Sequence, residues 1–138
     1  MRIMGMDVGE KRIGIAISDP LGWTAQGHSV LTRQSLQKDF EALMSICRDY
    51  EVKKLVIGFP RNMNGTIGPK ASEIKAFADA LQKYSGMEIE FWDERLSTQA
   101  AAKTLLEADV SRRKRKKVID KLAAVNILQG YLDRHRKS

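Results

Sequence analysis

The feature that most constrains the fold is a short apolar segment near the amino terminus that contains one carboxylate. From Ile3 to Val8 the side chains are apolar or a glycine, except for Asp7. A run this short and apolar is typical of a strand buried on both faces. Burying a single carboxylate there is costly unless its charge is paired or bound to a metal. Asp7 is therefore the first candidate functional residue.

The rest of the chain alternates between short apolar strands and amphipathic helices. Gly9 permits a tight turn, after which a second strand returns beside the first. A helix between two later strands favours their parallel pairing with the first. We expect an α/β fold with a mixed five-stranded sheet (βββαβαβα, strand order 3-2-1-4-5), an extra helix before the last one, and helices on both faces. The predicted strands are at 3–8, 12–18, 23–31, 54–58 and 87–92. The first predicted helix starts at Thr32 or Ser35 and ends near residue 50, and the others are at 70–85, 97–108 and 118–134.

Length and cysteine content limit the class of protein. The 138 residues have room for one domain with one sizeable core, which we predict to be residues 1–138. No apolar run has the length of a membrane span, and no signal-peptide pattern opens the sequence. The single cysteine, Cys47, cannot form an internal disulfide and is predicted to pack in the core. We therefore expect a cytoplasmic protein without a membrane partner.

The positive charge is concentrated in one segment. The net charge is +7, and the run from Ser111 to Lys117 holds six basic residues and no acidic one. The pattern predicts a basic loop that binds a polyanion such as nucleic acid. The alternative is an ordinary solvated loop, and a charge run alone does not decide between them.

Several carboxylates are predicted to lie at one edge of the sheet. Asp7 ends the first strand, Gly58 the fourth, and Asp93 and Glu94 the fifth. Ligand sites of such sheets lie outside the carboxyl ends of the parallel strands. Asp120 shares the inner face of the last helix with small apolar residues, which would bring it toward the same edge. Its alternative role is a favourable charge in the first turn of a helix.

Converging carboxylates repel one another unless a cation lies between them. Oxygen ligands without a suitable histidine or cysteine fit Mg²⁺ or Mn²⁺ better than Zn²⁺. Two such ions about 4 Å apart can activate water and stabilise the leaving oxygen in phosphodiester hydrolysis. The sequence therefore predicts a magnesium or manganese site, with two ions, that acts on a nucleic acid.

Four motifs resemble those of the YqgF family, in the family's order and over essentially the whole chain. They are Asp7 to Gly14, Gly58 to Pro60 with Asn64 to Thr66, Asp93 to Thr98, and Asp120 to Ala124. One departure is Phe59, where leucine is commoner before the proline. The resemblance implies a ribonuclease H-like fold, similar to that of the Holliday-junction resolvase RuvC. It implies nuclease activity in maturing the 5′ end of the 16S rRNA precursor or, alternatively, in resolving Holliday junctions.

The resemblance also implies roles for individual residues. Asp7, Glu94 and Asp120 would be the catalytic, metal-binding acids. Asp93 is the competing neighbour of Glu94; it shares strand parity with Ile89 and Phe91, which we expect to be buried, so Glu94 is favoured. The residues expected to contact nucleic acid, or alternatively to form structural ion pairs, are Lys11, Arg12, Arg95, Arg112, Arg113, Lys114, Arg115, Lys116 and Lys117.

Two functions from other classes compete with the nuclease. A non-catalytic RNA-binding factor of ribosome assembly would use the basic segment but would not need converging acids. Sugar kinases and actin-like ATPases also begin with a strand that ends in Asp-x-Gly, yet they use two such domains. The sequence does not show whether the substrate is structured RNA or branched DNA, because no residue can be identified that would recognise a 2′-hydroxyl or the shape of a junction. The sequence also does not distinguish a monomer from a homodimer. Pre-ribosomal particles are a further partner that it leaves open.

Overall fold

The structure, a computed structural model, describes residues 2–60, 68–93 and 112–135, with side chains from residue 120 onward in the last range. It contains five strands and three helices within these ranges. They are β1 (Arg2–Val8), β2 (Arg12–Ser18), β3 (Ala25–Thr32), α1 (Leu36–Tyr50), β4 (Val52–Phe59), α2 (Pro69–Ser85), β5 (Glu88–Asp93) and α3 (Arg112–His135). The predicted helix at 97–108 lies outside the described residues.

The sheet has the predicted order, β3-β2-β1-β4-β5. β2 pairs antiparallel with both β1 and β3, whereas β4 pairs parallel with both β1 and β5. One row of neighbouring residues crosses the three parallel strands at Met6, Ile57 and Phe91. The next positions along these strands are Asp7, Gly58 and Trp92, so the predicted convergence of three strand ends at one edge is confirmed.

The helices cover opposite faces of the sheet, and each face has its own apolar core. The residues under α1 and α2 include Met4, Met6, Ile13, Ile15, Leu43, Leu55, Ile57, Ile74, Phe77 and Leu81. The core between α3 and the sheet includes Ile3, Ala16, Val56 and Trp92 from the strands and Ala124, Ile127 and Leu128 from the helix. It is called the core under α3. Successive residues of β1 alternate between the two cores, as the pleat of a strand requires. Among the described helices, none is long and apolar enough to cross a membrane.

Local sequence signals set the ends of α1 and α2. The Ser35 hydroxyl accepts a hydrogen bond from the Lys38 amide at 3.2 Å, which satisfies one free donor of the first turn of α1. Pro69 is the first residue of α2, where its missing N–H costs nothing. Gly86 ends α2 with a φ of 70°, a conformation that L side chains rarely adopt.

Helix α3 lies unusually close to the sheet because glycines remove side chains between them. A Cβ at Gly5 would lie 2.6 Å from the Leu128 Cβ. A Cβ at Gly14 would meet the backbone carbonyl of Asp120, with the carbonyl carbon at 2.7 Å. On the helix side, a Cβ at Gly130 would lie 3.1 Å from the Trp92 ring. A glycine inside a strand often marks such a close approach of backbone, and here it fixes the depth of α3.

A polar network joins α3 to the neighbouring strands β4 and β5. The ammonium of Lys54 lies 3.1 Å from Glu90 and 5.2 Å from the centre of the Tyr131 ring. A hydrogen bond from Tyr131 lowers the pKa of Glu90, and Lys54 lowers it further. Burial alone would lower the pKa of Lys54, but the hydrogen bonds with Tyr131 and Glu90 outweigh it and raise that pKa. The network thus ties β4, β5 and α3 together.

Replacing Glu90 with glutamine is expected to lower the free energy of unfolding by about 1 kcal/mol at pH 7, a value kept small because the Glu90 side chain is 40% exposed. A lowered pKa means that the charged carboxylate stabilises the fold above the ordinary value of 4.5. The difference between wild type and variant should therefore shrink as the pH falls below 4.5. Urea unfolding at several pH values measures it. Glu88→Gln is the matched control with a smaller effect, because Glu88 is 67% exposed and 3.4 Å from Lys54.

Two features of the carboxyl-terminal half differ from the prediction. Phe91 was expected to be buried, but it is 40% exposed, and its neighbour Trp92 is buried at 7% in the core under α3. The predicted basic loop is also wrong, because α3 begins at Arg112 rather than at Val118. The six basic residues from Arg112 to Lys117 therefore lie on helical backbone and not in a loop.

Candidate active site

Asp7 is the next-to-last residue of β1, on the face of the sheet that α3 covers. It pairs across the antiparallel ladder with Gly14, and directly paired residues point to the same face. Gly14 faces the backbone carbonyl of Asp120 on α3. The side chain of Asp7 is partly buried. The fold therefore brings two predicted acids, Asp7 and Asp120, to the same face at the same end of the sheet.

Asp120 is fixed by an ion pair with Arg12. The Nε of Arg12 donates a hydrogen bond of 2.9 Å to Oδ2 of Asp120, and both side chains are about three-quarters buried, with 23% and 24% exposure. Of the two roles open for Arg12, phosphate contact and a structural ion pair, the structure shows the ion pair. Only one of the five guanidinium N–H groups makes this bond, so the others are not committed by it.

Helix α3 holds Asp120 in place through its apolar face. Ala124, Ile127 and Leu128 are buried in the core under α3. Asp120, Ala124 and Leu128 are four residues apart and therefore lie in one row of the helix. Leu128 and the Ala124 carbonyl contact Gly5, two residues before Asp7 along β1. The prediction that small residues carry Asp120 toward the sheet is confirmed.

Glu94, the third predicted acid, lies outside the described residues, and so does Arg95. The end of β5 nevertheless shows how the strand alternates. Trp92 belongs to the core under α3, while Asp93 pairs with Phe59, which belongs to the core under α1 and α2. Asp93 therefore occupies a position on the face opposite Asp7. The ground given for preferring Glu94, a buried Phe91, was wrong, although the parity of Asp93 with Ile89 and Phe91 holds.

The described residues include no set of three His, Cys, Asp or Glu side chains that could hold a metal. Asp7 and Asp120 supply two carboxylates, and the third predicted ligand, Glu94, lies outside the described residues. The two acids provide oxygen donors alone, the kind that a hard cation such as Mg²⁺ or Mn²⁺ prefers.

Among the predicted nucleic-acid contacts, the two whose side chains the structure describes, Lys11 and Arg12, lie at this edge. Lys11 is exposed in the turn between β1 and β2, next to Arg12. The basic residues from Arg112 to Lys117 occupy the first two turns of α3, ahead of Asp120 in the same helix. Their backbone therefore leads directly to the candidate site, whereas their side chains are not described.

Two residues at this edge were missed by the sequence reasoning. Arg33 donates a hydrogen bond of 2.8 Å to the Gly9 carbonyl, lies 3.6 Å from the buried carboxylate of Asp39, and is 5.1 Å from the centre of the Phe77 ring. No local pattern marks it, because its partners come from three separate elements. Gly14 could have been found, since a glycine inside a strand signals close backbone approach.

Cys47 is buried among apolar residues of α1 and the sheet, as predicted. Burial raises the pKa of its thiol to about 11. The thiolate that a nucleophilic cysteine needs is therefore scarce at neutral pH.

Comparison with solved structures shows the fold. RuvC of Thermus thermophilus, solved in complex with a Holliday junction substrate, matches with a TM-score of 0.59 at 11% identity, over 97% of this chain and 96% of RuvC. The Holliday junction resolvase of fowlpox virus matches with a TM-score of 0.55 at 16% identity, over 97% of this chain and 99% of the resolvase. The chain has the ribonuclease H-like fold of these resolvases, as predicted.

Comparison of sequences shows the family. A protein of Syntrophomonas wolfei named "Putative pre-16S rRNA nuclease" is 61% identical over 133 residues, which are 96% of this chain and 94% of the relative. A Clostridium perfringens protein of the same name is 56% identical over 137 residues, 99% of this chain and 100% of the relative. The family model described as "RuvX: Holliday junction resolvase" matches residues 1–134. The chain therefore belongs to the RuvX family, also called YqgF, as its motifs predicted.

Proposed function

We propose that the chain is a divalent-metal-dependent endonuclease, with residues 1–138 as one nuclease domain, that hydrolyses phosphodiester bonds at the 5′ end of the 16S rRNA precursor. The observation that carries the proposal is the placement of Asp7 and Asp120 on one face at the carboxyl edge of the sheet. The names of relatives at 54–61% identity support the RNA substrate. The family description supports Holliday junction resolution as the second candidate.

The two described acids fit a hard divalent cation. A partly buried Asp7 and an oriented Asp120 present carboxylate oxygens on the same face, and the position of Gly58 between β1 and β5 carries no side chain. Asp7, Glu94 and Asp120 would together hold Mg²⁺ or Mn²⁺, as two ions. The bound metal would supply activation of water and stabilisation of the leaving oxygen.

The parity of β5 supports Glu94 as the third acid. Trp92 packs against α3, so a strand continuing by two residues would place Glu94 on that same face, with Asp7 and Asp120. Asp93 would face the opposite core. We therefore assign the metal-binding role to Glu94 and not to Asp93.

The chain's own cations orient the acids and hold the substrate. Arg12 binds one oxygen of Asp120 and so restricts the direction of the other. Its uncommitted N–H groups, together with Lys11 and Arg95, would contact the phosphates on either side of the cleaved bond. Six basic residues at the start of α3, Arg112, Arg113, Lys114, Arg115, Lys116 and Lys117, would bind the backbone further away, where they add affinity without sequence preference.

The proposed function has consequences for the cellular location and the oligomeric state of the protein. Precursor rRNA is made and trimmed in the cytoplasm, so we propose a cytoplasmic protein that acts on pre-ribosomal particles. Trimming one precursor end needs one active site, which a monomer supplies. Resolving a four-way junction needs two cuts, for which a symmetric homodimer would be required.

The experiment offers the purified protein two substrates in Mg²⁺ or Mn²⁺: an RNA with the 5′ precursor sequence of 16S rRNA, and a four-way DNA junction. We expect cleavage of the RNA, loss of that cleavage in Glu94→Gln, and near-normal cleavage in the neighbouring control Asp93→Asn. Cleavage of the junction alone would favour the resolvase. The third outcome is a purified protein that binds RNA but cleaves neither substrate. If the Glu94→Gln variant also supported rRNA maturation in cells, the protein would be a non-catalytic assembly factor.

A further inference from the structure

A cavity of about 690 Å³ opens on the other side of the sheet edge from the candidate acids. It begins at Val8 and Gly9, the two residues that follow Asp7, and extends to the first turns of α2. The side chain of Val8 faces the core under α1 and α2, whereas Asp7 faces α3. The proposed metal site and the cavity are therefore back to back, separated by the edge of one strand.

The lining combines an apolar floor with a charged rim. Val8, Ile74 and Phe77 are buried and form the floor. The rim carries Glu10, Glu73, Lys70 and Arg33. An apolar floor with a few polar groups is typical of pockets for small organic groups, and the volume lies within the usual range for them.

Arg33 forms a fixed wall of this cavity. Its three contacts, with the Gly9 carbonyl, the Asp39 carboxylate and the Phe77 ring, come from three different elements of the fold. The side chain is still 25% exposed. A guanidinium held in this way offers a flat surface on which an unpaired base can stack.

The charges of the rim indicate what kind of group fits. Two carboxylates, of Glu10 and Glu73, would repel a phosphate, and they can only accept hydrogen bonds. The ammonium of Lys70 and the guanidinium of Arg33 can only donate them. A nucleobase satisfies both kinds of partner, because its edge carries N–H donors beside carbonyl or ring-nitrogen acceptors.

We propose that this cavity binds one unpaired nucleobase of the substrate strand, from the nucleotide next to the cleaved phosphodiester. The inference rests on the proposed nuclease function, because that function places a phosphate at Asp7, within two residues of the cavity wall. It defines the substrate class more narrowly: an RNA that can release a base from its helix beside the cleavage site.

The test measures binding without metal, so it does not depend on cleavage. The probes are two RNA hairpins in EDTA, one with a single bulged 2-aminopurine and one with the same base paired. Stacking of an unpaired base typically contributes enough for about a tenfold gain in affinity. We expect the protein to bind the bulged hairpin about tenfold more tightly and to change the 2-aminopurine fluorescence of that hairpin alone.

Exposed residues of α2 give matched variants. Glu73→Trp fills the mouth of the cavity and Lys70→Gln removes a donor from the rim, so both should lose the preference for the bulge. Asp79→Trp and Lys75→Gln make the same changes at exposed positions of α2 outside the cavity and should keep it. Equal affinity for both hairpins would overturn the inference, and so would a preference for the bulge that survives in both cavity variants. The nuclease function would still be supported in either case if the protein cleaves RNA with metal. If neither hairpin is bound and no RNA is cleaved, both proposals fail.

Discussion

Asp7→Asn is expected to reduce metal-dependent cleavage by about a thousandfold or more while the protein stays folded. Asparagine keeps the size of the side chain but removes the negative charge, and a metal-bound carboxylate contributes several kcal/mol to the transition state. The fold should tolerate the change, because asparagine is nearly isosteric with aspartate and the side chain at this position is only partly buried. Single-turnover cleavage under saturating protein measures the effect on chemistry.

Metal binding gives a second measurement for Asp7 that does not depend on activity. Mg²⁺ or Mn²⁺ should raise the melting temperature of the wild type, because a ligand that binds only the folded state stabilises it. The rise should disappear in Asp7→Asn. Asp49→Asn, an exposed aspartate in the last turn of α1, removes the same charge away from the site and should leave cleavage and metal response unchanged. Cleavage of Asp7→Asn at the wild-type rate would rule out the proposed mechanism.

The strands and helices could be predicted because each is determined by neighbouring residues. The apolar run from Ile3 to Val8 is too short for a typical helix and favours a strand buried on both faces, and it lies in β1 at the centre of the sheet. Ser35, Pro69 and Gly86 set helix ends through interactions that reach at most four residues. Strands joined by short turns, β1 to β3, pair antiparallel with their neighbours in the chain, whereas β4 and β5 each follow a helix and pair parallel. These two kinds of connection favour the predicted strand order.

The face that each β5 residue occupies could not be predicted from alternation, because it depends on a distant helix. Ile89 and Phe91 alternate with two glutamates, which favours a buried Phe91 in an isolated strand. In the fold, Gly130 of α3 makes room for the Trp92 ring, and Lys54 pairs with both Glu88 and Glu90. The glutamates can therefore face α3 beside Trp92, and Phe91 is left 40% exposed.

The candidate site was predictable in its residue types but not in its contacts. A single carboxylate near the end of an apolar run is a local signal, so Asp7 could be chosen as a candidate from the sequence alone. The Arg12–Asp120 ion pair joins residues 108 positions apart. It requires α3 to lie at a particular depth over β2, and that depth is set by Gly14.

Gly14→Ala is the second change with a large expected effect. The new methyl group would overlap the Asp120 carbonyl, a backbone group that cannot rotate away, so α3 must shift off the sheet. Overpacking of this kind typically costs about 1–3 kcal/mol, and we expect a loss of about 3 kcal/mol in the free energy of unfolding because two backbones are involved. Since Asp120 moves with the helix, and a displacement of about 1 Å can cost about a hundredfold in rate, cleavage should fall by about that factor.

Gly27→Ala separates this effect from the general loss of a glycine under α3. Its Cβ would meet the Lys121 side chain at 2.6 Å, but these are the outer methylenes of a flexible chain, which can move aside. An alanine also suits a strand better than glycine, by about 0.5 kcal/mol. We therefore expect Gly27→Ala to be neutral in urea unfolding and in single-turnover cleavage. If Gly14→Ala matched it in both measurements, α3 would not rest on Gly14, and Asp120 would lose its assigned place beside Asp7.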